Sequence, residues 1–271
     1  MRTPLRRTLN VAAVIVVATY LAPLYWIIMT SIKPTKEINA AVPQFSFEPT
    51  LEHYVEAFER FDFADAIANS AIVVFGSTVI TMFLGIISAY ALARMKMRGA
   101  DGLSLMILSF RFMPGVVIAL PYYLMAQWSG LSDSHVGLII VYVAFGLPFA
   151  VWLLRGFLLD LPRDIEEAAR LDGLGWFAIM WRIIVPLAAP GIAVTAIFTF
   201  VFSWNEFLFA LYMTSSNAVT LPIQIAKMID LYNVLWGPIS AGVVMQLVPM
   251  LVVVFLIQRH MIRGLALGAV K

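Results

Sequence analysis

The sequence predicts an all-α protein, a polytopic bundle of six transmembrane helices, and three observations predict it. Hydrophobic residues make up 62% of the 271 and the mean hydropathy is +0.90, well above the roughly 45–50% apolar share of a soluble domain. The apolar residues fall in long runs rather than in alternation. Lipid cannot satisfy a backbone amide, so such runs must pair their own amides as helices and not as a closed barrel. The charged residues, only 13% of the chain, gather between the runs.

The first run, residues 9–32, follows Arg2, Arg6 and Arg7 as the core of a signal peptide would. It is longer than such a core, contains Pro23, Tyr25 and Trp26, and has no small-residue cleavage site after it, so it reads as an uncleaved first span. Residues 68–93, 103–126, 135–157, 190–212 and 238–257 are the further spans, each near the ~20 residues that cross the hydrocarbon. Residues 1–271 then form a single transmembrane domain with two organised loops.

Orientation follows from lysine and arginine, which are retained on the cytoplasmic side. An even number of spans puts both termini on one side. With them fall Arg94, Lys96 and Arg98, then Arg155, Arg163, Arg170 and Arg182, then Arg259, Arg263 and Lys271; the other side holds Lys33, Lys36, Arg60 and Lys227. Both termini are expected in the cytoplasm. The loop 33–65, acidic and broken by Pro34, Pro43 and Pro49, is expected to be a small outer cap with a helical patch from Glu52 to Phe61.

The large cytoplasmic loop, 160–189, carries the strongest local signals. Pro162 suits a first helical turn, and Asp164, Glu166 and Glu167 follow where the helix dipole favours acids. Leu161, Ile165, Ala168 and Ala169 share a face, and Glu166 is spaced to pair with Arg170. Asp172 and Gly173 end the helix. A second helical stretch carries Trp176, Ile179, Met180 and Ile183 as an apolar stripe suited to the membrane boundary, and Val185 and Pro186 are expected to stop it. Taken physically, the loop is either a docking knob for another protein or a segment packed on its own bundle.

Other chemistry is scarce. There is no cysteine, and His53, His135 and His260 begin no ligand spacing, so no metal site is expected. A net charge of +2 does not point to nucleic acid. No G-x-x-x-x-G-K-[ST] loop occurs, so ATP hydrolysis cannot reside here, and no nucleophile–base constellation marks a catalytic site. Arg111 stands within the third run, where an arginine costs roughly 2.5–3.5 kcal/mol unless it faces a cavity or a partner. It reads as a hydrogen-bonding group for a hydroxylated solute or as a snorkelling, helix-pairing arginine. Trp204, Asn205 and Glu206 likewise suit a sugar or an interfacial belt. Pro114 with Gly115, Gly146 with Pro148, and Pro249 are expected to bend spans gently.

The loop resembles the EAA signature of permease subunits of ATP-binding-cassette importers: E-A-A, three residues, G, nine residues, I, any residue, L, P. Glu167, Ala168 and Ala169 are followed by Gly173, and then by Ile183, Ile184, Val185 and Pro186, with Val185 in place of leucine. FGLPFAVWLLRGFL before the loop, FSWNEFLFAL after it and the tail RGLALGAVK are similar to the carbohydrate-uptake branch, in particular the smaller membrane subunit of maltose-type and polyol-type importers. The resemblance implies a type I importer permease fold in a bacterial or archaeal inner membrane. It also implies a second related permease, two ATPase subunits that hold the ATP and Mg, and an extracytoplasmic solute-binding protein. It assigns ATPase coupling to Glu166, Glu167, Ala168, Ala169, Asp172 and Gly173, and an ATPase contact to the tail 263–271. The outer loop 213–236 corresponds by position to a segment that probes the binding protein. The implied function is ATP-driven import of a sugar or sugar alcohol by alternating access. A stand-alone ion-coupled carrier is the alternative, and the spans are poor in the buried acids and histidines it would need, Glu206 being the main one.

Overall fold

Apolar runs become helices throughout the computed structural model, which describes residues 4–95, 97–229 and 234–268. In chain order these are α1 (Pro4–Ser31), α2 (Thr35–Ile38), α3 (Glu52–Arg60), α4 (Phe63–Arg94), α5 (Ala100–Ser109), α6 (Gly115–Trp128), α7 (His135–Leu159), α8 (Asp164–Leu171), α9 (Trp176–Ile179), α10 (Val185–Leu187), α11 (Ala189–Trp204), α12 (Leu208–Met213), α13 (Leu221–Ala226) and α14 (Trp236–Gly268). A 3₁₀ turn, Phe110–Phe112, continues α5, and a π turn, Met180–Ile184, joins α9 to α10.

Four stretches cross a membrane by length and hydropathy as single helices: Thr8–Ser31, Phe63–Arg94, His135–Leu159 and Trp236–Leu256. The third and fifth spans are more sharply bent than expected. Residues 100–112 and 115–128 meet at 86°, and residues 176–187 and 189–204 meet at 80°. Six spans result when each bent pair counts as one. The first break has a clear cause. Pro114 has no N–H to give, and its ring forces Met113 into extended backbone (φ −64, ψ 133). The gentle bend expected at Pro114 is therefore a break, whereas Pro148 and Pro249 sit inside continuous helices. The fifth span also stops early: Asn205, Glu206 and Phe207 leave the helix before α12 restarts.

The chain forms two compact units. One comprises the chain up to Ala66 together with Leu221–Pro249; the other comprises Ile67–Thr220 and the chain from Met250 onward. In the first unit α1 turns its apolar side chains outward, none of its spanning window being buried, as a lipid- or partner-facing helix does. The loop between α1 and α4 is tied down within the unit. Thr50 N donates to Ile32 O (2.8 Å), the Ser31 and Tyr54 hydroxyls share a hydrogen bond (2.9 Å), and Gln224 donates to Phe61 O (2.6 Å). His53 and Ala57, one turn apart on α3, form its buried face.

In the second unit α4, α7 and the chain from α8 to α11 share one core, in which Leu154, Ile179, Met180 and Ile184 are fully buried. Ser134 caps α7, accepting from Gly137 N (3.1 Å). Just before it, Asp133 clamps the loop that follows α12. Its carboxylate accepts from the backbone N–H of Ser215, Ser216, Asn217 and Ala218 at 2.9–3.1 Å and from both serine hydroxyls at 3.0 Å. Asn69 donates to Asn217 O and Val219 O beside it, and His135 Nε2 meets Asn69 Oδ1 at 2.7 Å.

Those donors favour the charged form and hold the Asp133 carboxyl well below the usual carboxylate range, against the desolvation that opposes them. A depressed native pKa means that the clamp's contribution is complete above the unfolded value near ~3.9 and fades only as pH falls through the native one. Asp133→Ala should lower stability by about 2–3 kcal/mol, as loss of hydrogen bonds to a charged group does, and should flatten the acid limb of the profile. Thermal unfolding in detergent as a function of pH measures both effects.

Candidate functional site

The loop of residues 160–189 is built as its residues dictate. α8 begins two residues after Pro162, carries Asp164, Glu166 and Glu167 in its first turn and Arg170 in its last, and ends at Leu171, capped by Asp172 ahead of Gly173. Gly173 adopts φ +85, which lets its N–H reach Arg170 O (3.0 Å) while Leu174 N reaches Ala169 O (3.0 Å). That is the paired closure a left-handed glycine permits. Ile179, Met180 and Ile184 then enter the core beside Met82, Ile86, Ala89 and Tyr90 of α4 and Leu154 and Leu158 of α7. The stripe read as interfacial is thus mostly interior, while Trp176 and Phe177 remain exposed. Pro186 does not stop the helix. The π turn ahead of it absorbs the missing N–H, the chain stays helical to Leu187, and the bend falls at Ala188.

The site residues divide between two faces. Glu166 and Ala169 point inward. Glu166 does not pair with Arg170, as spacing suggested: its Oε1 lies 2.5 Å from Arg94 Nε, both side chains being 4% exposed, and its Oε2 accepts from Tyr90 OH (3.1 Å). Arg94 also donates to Leu161 O (3.0 Å), so the end of α4 holds both the start of the loop and its first helix. Glu167, Ala168, Asp172 and Gly173 point outward. Between them Leu171 is 90% exposed, a residue the sequence reading passed over; helical geometry carries it roughly 200° around from buried Ala169. An added Cβ at Gly173 would meet nothing within 4 Å. The loop therefore both packs on its own bundle and presents a free knob. Of the tail 263–271, the backbone to Gly268 continues α14 and residues 269–271 lie outside the described residues.

Within the membrane, the break at Pro114 and the interruption after α11 lie on one cleft. Arg111 precedes the break at Pro114, Glu206 lies in the break after α11, and both line a small cleft of about 80 Å³ with Tyr142, Phe145, Phe202 and Ser203. Arg111 Nη1 donates to Phe145 O (3.1 Å), in the turn that Pro148 opens, and its guanidinium lies over the rings of Phe145 (4.2 Å) and Phe202 (5.0 Å). Glu206 accepts from Phe209 N (2.9 Å) and Ala210 N (3.1 Å) at the start of α12. The buried Tyr142 side chain places its hydroxyl beside Glu206. Arg111 thus faces a cavity and pairs helices at once. Trp204 and Asn205 do not join it. Trp204 is buried and stacked on Phe200 at 5.7 Å, and Asn205 donates to Val201 O (2.8 Å) and meets Met250 Sδ. Tyr142, absent from the sequence reading, carried no signal within its apolar run. Among the described residues no group of three or more His, Asp or Glu side chains could hold a metal.

A family model described as the inner membrane component of binding-protein-dependent transport systems matches residues 81–266. A probable ABC transporter permease protein, y4oR of Sinorhizobium fredii, is 36% identical, the alignment covering 93% of this chain and 91% of that one. The trehalose transport system permease protein SugB of Mycobacterium tuberculosis is 35% identical over 95% of this chain and 94% of its own. For the diacetylchitobiose uptake system permease protein DasC of Streptomyces coelicolor the figures are 31%, 97% and 96%. A chain of a bacterial ABC transporter involved in the import of the acidic polysaccharide alginate superposes with a TM-score of 0.76 over 96% of this chain and 98% of that one, at 20% identity. A second alginate transporter structure, in complex with a pentasaccharide-bound periplasmic protein, gives 0.64 over 90% and 92%, at 18% identity. These last two likenesses are of fold.

Proposed function

The chain belongs to the family of inner membrane components of binding-protein-dependent transport systems, and from that premise we propose that it lines the pathway of an ATP-driven importer for a sugar or sugar alcohol. It is a multi-pass membrane permease and not itself an enzyme. The sugars named for its relatives, trehalose and diacetylchitobiose, indicate the substrate class.

The observation that carries the reading is the two-faced loop. Glu166 and Ala169 fasten it to the bundle, and Glu167, Ala168, Leu171, Asp172 and Gly173 leave a small-residue surface that a cleft on an ATPase subunit can grip. A lever must be rigidly held at one face and free at the other. In this reading two ATPase subunits supply ATP and Mg, a second permease completes the pathway, and a binding protein delivers solute from outside. Both termini and the loop face the cytoplasm. Closure of the ATPase dimer moves the docked loops, and the bundles rock as packed bodies between inward- and outward-open states. Arg111, Glu206 and Tyr142 offer the solute donors and acceptors between aromatic faces.

The test uses the whole assembly, purified through a tag on this chain and reconstituted in vesicles. Uptake of trehalose or diacetylchitobiose should require internal ATP and binding protein and should persist when ionophores collapse all ion gradients. Uptake by this chain alone, or uptake that dies with the gradients, would sink the proposal.

A further inference from the structure

A second pocket lies in the first unit. It holds about 420 Å³ between the end of α1, the start of the loop that follows it and the start of α14, and it is lined by Trp26, Thr30, Lys33, Glu37, Trp236 and Ser240 among others. Two features set it apart from an ordinary aromatic belt. Lys33 is buried and its ammonium is already engaged, donating to Gln44 O (2.6 Å) and lying 5.5 Å from the Trp26 ring and 5.0 Å from the Phe47 ring. Glu37 is the opposite case: its Oε2 is shielded from solvent and makes no hydrogen bond. A belt tryptophan anchors in lipid headgroups and has no need of an unpaired carboxylate oxygen beside it. A buried acceptor without a donor costs free energy, which a ligand relieves once the Glu37 side chain turns to meet it.

We propose that this pocket is an outer saccharide subsite, which takes one ring of the solute before it enters the membrane pathway. The chemistry selects the class. A carboxylate only accepts hydrogen bonds, so the ligand must donate them; hydroxyl groups do, and phosphate does not. Trp26 and Trp236, both substantially exposed, offer the flat apolar faces on which the C–H side of a pyranose lies. The pocket stands where the sparse basic residues place the outer compartment, so it meets arriving solute. The inference rests on the importer reading given above.

Because the chain contains no cysteine, a single one can be placed at Ala40, which lines the pocket. In right-side-out vesicles holding the assembled transporter, a membrane-impermeant maleimide should label Ala40→Cys. Trehalose or diacetylchitobiose should slow that labelling about fivefold, the protection mass action gives at roughly four times the Kd. Adding Glu37→Leu or Trp236→Leu should abolish protection while the unprotected rate and the amount of chain stay unchanged. Four results would overturn the site: no labelling, which means a partner chain fills the pocket; labelling that neither sugar slows; protection that survives both substitutions; and occlusion relieved by removing phosphatidylethanolamine, which assigns the pocket to a lipid headgroup. Uptake is scored on the same vesicles. Uptake without protection fails the subsite alone, and protection without ATP-dependent uptake fails the importer reading alone.

Discussion

Arg94→Ala should leave little folded permease in the membrane. The substitution strands the Glu166 carboxylate, 3% exposed, with only Tyr90 OH to answer it. Breaking a buried ion pair from one side costs about 3–5 kcal/mol, against a total stability of roughly 5–15 kcal/mol. Arg94 also closes the loop's entry through Leu161 O, so the damage falls at both ends of the segment. The measurement is the fraction of monodisperse chain recovered in detergent and its thermal midpoint. If the loss comes from an uncompensated charge rather than from lost volume, the double variant Arg94→Met with Glu166→Met should recover most of the midpoint, since apolar replacements of buried pairs are often neutral. An Arg94→Ala chain as stable as the parent would show that the pair is open to water and that α8 is held by its apolar contacts alone.

That pair also shows where the sequence stops being legible. The spans, their number and the start and end of α8 follow from local rules: apolar run length, proline at a first turn, acids after it and a glycine at the end. Arg94 was visible only as a basic residue marking the cytoplasmic side, because its partner lies 72 positions away and nothing local ties α4 to α8. Spacing offered Arg170 instead, and a contact within the same helix lost to one across the bundle that burial makes stronger. The break at Pro114 was legible as a proline but not in size, since a transmembrane proline can bend a helix or end it according to what its neighbours offer the freed backbone. Tyr142 joins Arg111 and Glu206 only in three dimensions. The motif Glu167, Ala168, Ala169 and Gly173 was legible as a pattern, yet the pattern does not say that Ala169 is turned inward while its neighbours are free.

The division into two faces makes the loop's role separable from its folding. Gly173→Asn and Ala168→Trp should each cut ATP-driven uptake tenfold or more while leaving the fold alone. Asparagine tolerates the left-handed backbone that Gly173 holds at φ +85 better than most residues do, and an added Cβ there meets nothing within 4 Å of its own chain. Ala168 is exposed, so a tryptophan there displaces no core residue. Surface changes of this kind stay within about 0.5 kcal/mol, and the thermal midpoint should barely move. Only a partner that approaches the backbone closely would feel the bulk, and a tenfold loss corresponds to about 1.4 kcal/mol of docking energy. Nucleotide binding to the ATPase subunits should persist, which separates uncoupling from failure of the engine. Normal uptake in both variants, with unchanged midpoints, would mean that no cleft grips this surface, and the transmission of force would have to be sought elsewhere on the cytoplasmic side.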